Sequence, residues 1–179
     1  MNVNFLLSPK YICKFVVQKK NTTMGKTVLT IVLMALALIS CNRGPIYEHY
    51  ITFEEGIWDR FTTLDFDISI EKAGQPYDII MVLEYAITFP EDKIPFHIIM
   101  TTAGGEERIN EYHPRIRSHK GMLYGEVSDG KAVQEVMLRR AHPFTEAGKV
   151  TINVECFYPR SPIEGIYKLG IVVRESEKE

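Results

Sequence analysis

Histidines are the first residues of this 179-residue sequence whose chemistry suggests a function, because the imidazole ring is a common metal ligand. There are five, and two of them share one polar segment: His49, His97, His113, His119 and His142. Their spacing matches no compact zinc pattern. We therefore predict no metal site, and we expect these side chains to be exposed or hydrogen-bonded within the fold.

Two aspartates and one cysteine are the candidates for catalysis. Asp65 and Asp67 fall on one face of a predicted strand, as paired catalytic carboxylates of glycosidases do. Both also stand where a solvent-facing strand needs polar residues, and nothing in the sequence suggests a cleft around them. Cys156 could be a nucleophile, but it lies on the apolar side of an alternating segment, where a buried and inert thiol is ordinary. We predict that the protein is not an enzyme; an active site would need His, Asp and Cys or Ser to converge in one pocket.

Basic side chains concentrate in one segment of an otherwise acidic chain. Arg115 and Arg117 stand with Lys120, His113 and His119 in a local basic patch. This pattern fits a contact site for a partner protein or a phosphate group, although a solvated loop is the more ordinary explanation.

Two aromatic residues are further candidates for binding a partner. Trp58 lies at the edge of a turn, where its indole either caps one end of a core or contacts a partner. Tyr124 lies within the glycine-flanked segment of residues 121–125, a context that favours exposure and fits a contact hot spot. Neither position specifies a ligand.

The amino-terminal part of the chain has the organisation of a secretory signal. Residues 28–39 are mostly aliphatic and uncharged, and Lys26 precedes them. This run is shorter than the roughly 20 apolar residues that a membrane-spanning helix needs. The four residues at the end of this run, Leu38-Ile39-Ser40-Cys41, resemble the lipobox of bacterial lipoproteins. The resemblance implies cleavage between Ser40 and Cys41, a diacylglycerol on the Cys41 thiol and an N-acyl chain on its amino group; the alternative is an ordinary signal peptide with a cysteine nearby by chance.

The leader divides the chain into parts of different composition. Residues 1–40 are predicted to be leader and signal peptide, of which residues 1–23 resemble an over-extended start because Met24-Gly25-Lys26 suffices as a beginning. Five of the 21 basic residues and none of the 23 acidic residues precede Cys41, so the mature part carries 16 basic against 23 acidic side chains. This acidic balance argues against nucleic acid or an anionic lipid surface as a partner.

The mature part is predicted to be a single all-β domain. Leu64, Phe66, Ile68 and Ile70 alternate with polar residues, which indicates a half-buried strand over residues 64–71. Further strands are predicted over residues 77–87, 96–102, 106–112, 133–140, 150–158 and 166–174, with a long loop over residues 113–130. Short strands at such regular spacing favour an antiparallel, jelly-roll-like β-sandwich of about eight strands. The predicted layout is a lipidated cysteine and tether over residues 41–46, the sandwich over residues 47–174 and a charged tail over residues 175–179.

Short motifs at both ends of this domain resemble one known family. At the start these are Tyr47-Glu48, Tyr50, Phe53, Gly56 and Trp58, followed by Phe66-Asp67-Ile68 and Gln75-Pro76-Tyr77. At the end they are Gly148, Arg160, Pro162-Ile163, Gly165-Ile166 and Gly170-Ile171. In order and spacing they resemble the gliding-motility lipoprotein H (GldH) family. The resemblance implies a non-catalytic envelope lipoprotein linked to gliding motility and its associated protein secretion.

The expected partners follow from the lipobox and from this resemblance. We expect membrane lipid to be bound through Cys41, other envelope or motility proteins to be bound by the domain, and no cofactor beyond the covalent lipid. Residues 42–45 lack an acidic run, which favours the outer membrane with the domain facing the periplasm. The alternative function is a carbohydrate- or small-ligand-binding surface lipoprotein that uses aromatic residues such as Tyr112, Tyr124 and Tyr158 as stacking platforms.

Overall fold

A computed structural model describes residues 44–59 and 61–177 of the chain. The predicted leader and the predicted cleavage and lipidation site at Ser40 and Cys41 lie outside the described residues. The elements are β1 (Tyr47–Thr52), a 3-10 turn (Glu54–Gly56), β2 (Ile57–Trp58), β3 (Leu64–Ile70), β4 (Pro76–Ala86), β5 (Phe96–Thr101), β6 (Glu107–Tyr112), β7 (Glu126–Ser128), β8 (Lys131–Pro143), β9 (Gly148–Cys156), β10 (Ile163–Glu164) and β11 (Ile166–Glu175). Over this part of the chain, no helix has the length and apolar character that crossing a membrane requires.

The strands form two main antiparallel sheets. One sheet has five strands in the order β1-β11-β4-β8-β7, and the other has four in the order β3-β9-β5-β6. A third, two-residue pairing of β10 with β2 joins the connection between β9 and β11 to the connection between β1 and β3. The predicted antiparallel β-sandwich is confirmed, with eleven strands in the described residues.

The core lies between the inner faces of the two sheets, and period-two patterns supply it. On β3 the apolar residues are at most 4% exposed while the aspartates between them face solvent. Phe66 of β3 lies opposite Ile152 of β9, where the same alternation continues to a buried Cys156. β4, in the middle of its sheet, is buried on both faces and therefore has an almost continuous apolar sequence.

The connections between strands collect at two opposite ends of the sandwich. The end where β1 begins, here called the proximal end, carries the connections of residues 71–75, 102–106 and 144–147. The other end, here called the distal end, carries the connections of residues 53–63, 87–95, 113–125 and 157–165. β4 has 11 residues, and at about 3.3 Å per residue it separates the two ends by about 35 Å.

The segment predicted as one long loop, residues 113–130, is more structured than expected. It contains β7, which pairs with the beginning of β8, and an isolated bridge between Arg117 and Leu123. A strand of three exposed residues has too few positions to show an alternating pattern, so the sequence did not reveal it.

A buried carboxylate ties three strands together at the proximal end. Asp78 of β4 is only 9% exposed and accepts hydrogen bonds from the Ala141 backbone N–H at 2.9 Å and the Ser176 hydroxyl at 2.8 Å. Burial alone would raise the pKa of Asp78, but these two donors and the nearby Arg174 and Arg140 guanidinium groups lower it more, so the net pKa lies below its usual range. Asp78 thereby holds Ala141 at its positive φ of 48° and fixes the chain just after β11.

Replacing Asp78 by alanine should lower the free energy of unfolding by about 2–3 kcal/mol at neutral pH, because two donors lose a charged acceptor. Asp65→Ala is the matched control: this exposed carboxylate on β3 should contribute less than about 0.5 kcal/mol. Urea unfolding followed by Trp58 fluorescence measures both changes.

The low pKa of Asp78 in the folded protein makes its contribution to stability depend on pH. This contribution is complete above the pKa of the unfolded state, about 3.9, and is lost as the pH falls further. Asp78→Ala and the unmodified protein should therefore converge in acid, and equal stabilities at pH 7 would contradict this role.

Candidate partner-binding surface

A small hairpin formed by residues 114–124, here called the distal hairpin, carries most of the predicted contact residues. The Tyr124 N–H donates to the Ile116 carbonyl at 2.9 Å, and the Ser118 N–H donates to the Met122 carbonyl at 2.8 Å. Two more backbone bonds tie it to the preceding connection, one from Ile94 to the Pro114 carbonyl and one from Ile116 to the Asp92 carbonyl. The hairpin is therefore hydrogen-bonded both internally and to the body of the domain.

A buried tyrosine of β4 supports the distal hairpin from the side of the core. The Tyr85 side chain is 0% exposed, and its hydroxyl lies 2.6 Å from the Tyr124 carbonyl oxygen and 3.1 Å from that of Ile116. Burial raises the pKa of the Tyr85 hydroxyl, and the nearby Arg117 guanidinium opposes this only in part. Tyr85 therefore stays neutral at physiological pH and remains a hydrogen-bond donor to the hairpin.

Arg117, predicted as a partner contact, is engaged within the domain. Its guanidinium donates to a carboxylate oxygen of Asp92 at 3.2 Å and to the carbonyl oxygens of Ile87 at 3.2 Å and Phe89 at 3.1 Å. The side chain is 22% exposed. Arg117 thus clamps the distal hairpin to residues 87–92, and these bonds leave few of its donors for another molecule.

The outer surface of the distal hairpin combines side chains of the kinds that are enriched at protein interfaces. Tyr124 is 43% exposed and Met122 is 65% exposed. Arg115 is also exposed, with its Nη1 atom 3.0 Å from Nε2 of His119. We call these four residues the distal patch. Aromatic, methionine and arginine side chains are over-represented at interface cores, so this arrangement is suited to binding a protein. The prediction named Tyr124 and Arg115 but not Met122, whose position at the turn gave no signal in the sequence.

Trp58, for which the sequence left core capping and partner contact as alternatives, lies in the core. It is 1% exposed, and its ring stacks between Phe53, at a centroid distance of 5.0 Å, and Phe96, at 6.2 Å. The indole N–H donates to the Thr62 carbonyl at 3.3 Å. Trp58 therefore closes the distal end of the core, and its ring offers no surface to a partner.

The candidate metal ligands form no ligand cluster in the described residues, and the candidate catalytic carboxylates bind their neighbours on the sheet. In residues 44–59 and 61–177, no three side chains of His, Cys, Asp or Glu are grouped in a way that could hold a metal ion. Asp65 accepts a hydrogen bond from Asn153 at 2.5 Å, and Asp67 is bound by Thr151 and Lys149, whose hydrogen bonds lower the pKa of Asp67. These carboxylates therefore pair with neighbours along the surface of the four-stranded sheet.

The three tyrosines predicted as stacking platforms differ in exposure, and only Tyr124 is exposed. Tyr158 is 4% exposed, and the hydroxyl of the half-buried Tyr112 donates to the Leu138 carbonyl at 2.8 Å. Tyr158 lies instead in the wall of a groove of about 660 Å³ at the distal end. This groove could not be predicted from local patterns, because its other walls come from two separate connections: Thr88, Phe89, Pro90, Arg160, Ser161, Pro162, Glu164 and Gly165.

Replacing Tyr85 by phenylalanine removes only the hydroxyl that supports the distal hairpin. The free energy of unfolding should fall by about 1 kcal/mol, because the single buried hydroxyl donor that the two carbonyl oxygens share is lost. Local opening should also be easier, so the Tyr124 amide hydrogen should exchange with solvent about fivefold faster. Tyr50→Phe, which removes a hydroxyl from the exposed face of β1, is the control and should leave Tyr124 exchange unchanged. Equal exchange in both variants would show that Tyr85 does not support the hairpin.

The solved structures with a similar backbone fold have low sequence identity and low structural similarity to this protein. A family GH115 4-O-methyl-alpha-glucuronidase with specificity for decorated arabinogalactans has a TM-score of 0.42 at 14% identity, and the match covers 77% of this chain but only 18% of that protein. TmCBM61, solved in complex with beta-1,4-galactotriose, has a TM-score of 0.35 at 11% identity, covering 74% of this chain and 92% of the other. The CBM35 from Cellvibrio japonicus Abf62 has a TM-score of 0.30 at 11% identity, covering 74% and 100%. Likeness at this level does not bear on ligands or function.

The sequence comparisons are more specific. No curated protein matches the chain. The family model of the GldH lipoprotein, however, matches residues 45–173, which span the sandwich from β1 to within two residues of the end of β11. The match confirms the family that the short motifs predicted. The chain therefore belongs to the GldH lipoprotein family, whose members are lipoproteins of gliding motility.

Proposed function

We propose that this protein is a non-catalytic interaction module of a gliding-motility and secretion-associated apparatus in the cell envelope. In this proposal lipid on Cys41 anchors the domain, and the distal patch binds another envelope protein. The observation that carries the proposal is the distal hairpin, which Tyr85 and Arg117 hold in place and which exposes Tyr124, Met122 and Arg115.

The geometry of the sandwich supports display of this patch away from a membrane. Residues 42–46 separate Cys41 from β1, and at about 3.3–3.6 Å per residue they reach at most about 20 Å. The Ile46 N–H already pairs with the Val173 carbonyl at 2.8 Å, so the chain joins the sandwich at its proximal end. A lipid on Cys41 would then hold the proximal end near the bilayer and leave the distal patch about 35 Å farther along the strands.

The lipid itself supplies sufficient membrane affinity in this proposal. Burial of acyl chains contributes about 0.8 kcal/mol per CH₂, and two or three chains anchor a protein stably. The segment after Cys41 contains Asn42, Arg43, Gly44 and Pro45 and no acidic residue, which supports the outer membrane with the domain in the periplasm.

A preformed hairpin also reduces the entropic cost of association. Side chains and loops that become ordered on binding cost affinity, whereas a surface ordered beforehand avoids much of that cost. The backbone hydrogen bonds between Tyr124 and Ile116 and between Ser118 and Met122 order the hairpin without a partner. Exposed Tyr124 and Met122 can then contribute most of the contact energy.

Cross-linking of the full-length lipoprotein in its native envelope, followed by affinity purification, tests this function. The unmodified protein should recover motility or secretion components, and the double variant Met122→Ala and Tyr124→Ala should recover about tenfold less because two contact residues are lost. Ile109→Ala is the matched control, since Ile109 is 63% exposed on β6 and lies outside the distal patch.

A second control separates anchoring from docking. Cys41→Ala removes the lipidated thiol and should abolish recovery from the membrane fraction. Recovery of only lipid and bulk porins by the unmodified protein, or equal recovery by the Met122 and Tyr124 double variant, would contradict the proposed function.

The distal groove favours carbohydrate or small-ligand binding as a second candidate function. Its size of about 660 Å³ lies within the roughly 300–1,000 Å³ typical of ligand pockets. Arg160, Ser161, Thr88 and Glu164 supply donors and acceptors on its walls. If this function is correct, the protein should bind oligosaccharides in a glycan array and Arg160→Ala should weaken that binding. A protein that only docks to partners should give no glycan signal.

A further inference from the structure

A second concave surface lies at the distal margin of the four-stranded sheet. It is a cleft of about 280 Å³ lined by Phe61, Thr63, Glu155, Cys156 and Phe157. Phe61 is 75% exposed, while Trp58 in the same connection is 1% exposed. We call this surface the aromatic cleft; it shares no residue with the distal patch.

Hydrogen bonds fix the turn that presents Phe61. The Asp59 carboxylate accepts from the Phe61 N–H at 3.1 Å and from the Ser161 hydroxyl at 3.2 Å. The Thr62 N–H donates to the Asp59 carbonyl at 2.9 Å, and the Thr62 carbonyl accepts from the Trp58 indole. Because the turn is bonded to the core and to a neighbouring connection, the backbone that carries Phe61 has a defined position at the rim of the cleft.

The second ring of the cleft is also held in a set orientation. The Phe157 ring stacks on His97 at a centroid distance of 4.1 Å, with 28° between the planes. His113 meets the same ring edge-on at 6.0 Å. The Phe157 N–H donates to the Pro95 carbonyl at 3.3 Å, so both the backbone and the ring of Phe157 are positioned.

The surface around the cleft is acidic. In the strand register, His97 lies between Glu155 of β9 and Glu111 of β6. The outward-facing side of the four-stranded sheet carries five carboxylates and one lysine, because Arg108 of β6 lies on the other face, in register with the buried Met100. Lys149 pairs with Asp67 and His113 pairs with Glu111, which leaves Asp65, Glu107 and Glu155 without a basic partner among the ion pairs of this face in the described residues. Aromatic rings beside carboxylates in a negative field attract cations, through the ring faces and through direct pairing.

We propose that the aromatic cleft binds an arginine side chain from a basic segment of a partner protein. A guanidinium group is planar, stacks on aromatic rings and donates two hydrogen bonds to one carboxylate, and here Phe61, Phe157 and Glu155 supply these partners. The volume of about 280 Å³ lies at the lower limit of ordinary ligand pockets and accommodates a single side chain. A sugar is disfavoured because the Thr63 hydroxyl and the Glu155 carboxylate are the main polar side-chain groups of the lining.

Fluorescence anisotropy with a labelled peptide tests this inference on the full-length lipoprotein in phosphatidylcholine nanodiscs, whose neutral surface does not attract the probe. The probe is the blocked peptide Gly-Arg-Gly-Arg-Gly, and the control peptide carries citrulline, which has the shape of arginine without its charge. The arginine peptide should bind at least about tenfold more tightly than the citrulline peptide.

Variants of the protein then locate the site. Phe61→Leu keeps an apolar side chain but removes the ring, and Glu155→Gln keeps the shape but removes the charge; each should weaken binding about two- to fivefold. Glu107→Gln makes the same charge change on the same face of the sheet, at the end of β6 that lies farther from the cleft, and should change affinity less than twofold. Circular dichroism confirms that each variant is folded.

Three results would overturn the inference: equal binding of both peptides, equal weakening by Glu107→Gln and Glu155→Gln, or no effect of Phe61→Leu. The second of these would show diffuse attraction to an acidic surface. The Met122 and Tyr124 double variant should bind the arginine peptide as the unmodified protein does, so failure of the aromatic cleft and failure of the distal patch are distinguished.

Discussion

The burial of one sheet face against the other is the interaction on which the rest of the structure depends. Each fully buried Leu, Ile, Val or Phe contributes roughly 1.5–3 kcal/mol, and the inner residues of both sheets form one continuous cluster. That contribution offsets a conformational entropy cost of about 1–2 kcal/mol for each backbone residue that becomes ordered. Each distal connection adds at least one buried apolar side chain to this cluster, and hydrogen bonds to the core then fix the polar parts of these connections. The buried residues are Trp58, Phe89, Ile94, Ile116, Tyr158 and Ile163.

Those bonds are made by a few polar atoms carried on side chains with large apolar bodies. Tyr85 belongs to the core by its ring and to the distal hairpin by its hydroxyl. Trp58 likewise fills the core and binds the Thr62 carbonyl, and through it the turn that exposes Phe61. An apolar body in the core gives the polar end a fixed position, so the sandwich sets the geometry of its surface connections.

The sequence predicted those parts of the fold whose burial leaves a local pattern. β3 and β9 are half-buried and alternate strictly, and their predicted limits agree with the structure to within about two residues. β1 was not predicted as a strand, because it lies at a sheet edge and is mostly exposed, so its sequence does not alternate between apolar and polar residues. The lipid site on Cys41 remains a prediction, since it lies outside the described residues.

The candidate site was predicted only as far as its residues are neighbours in the chain. Arg115 and Tyr124 share one hairpin, so proximity in sequence was sufficient to group them. The role of Arg117 could not be foreseen, because the carbonyl groups it binds lie 28 and 30 residues away. For Trp58, core capping was one of two predicted alternatives, and the choice between them depended on its contact with the distant Phe96 of β5. Burial of one aromatic residue and exposure of another are decided by such tertiary contacts, and the local sequence does not encode them separately.

The distal patch and the aromatic cleft lie at the same end of the domain, and this has a consequence for affinity. His113 packs against Phe157 in the cleft and immediately precedes the distal hairpin, so one short segment connects the two surfaces. Each surface alone offers only a few contacts. If one partner occupies both, binding at the first raises the effective concentration for the second, and the combined affinity exceeds either alone without any new contact. A domain that presents the two proposed sites at one end would therefore suit a partner with a basic segment beside an apolar surface.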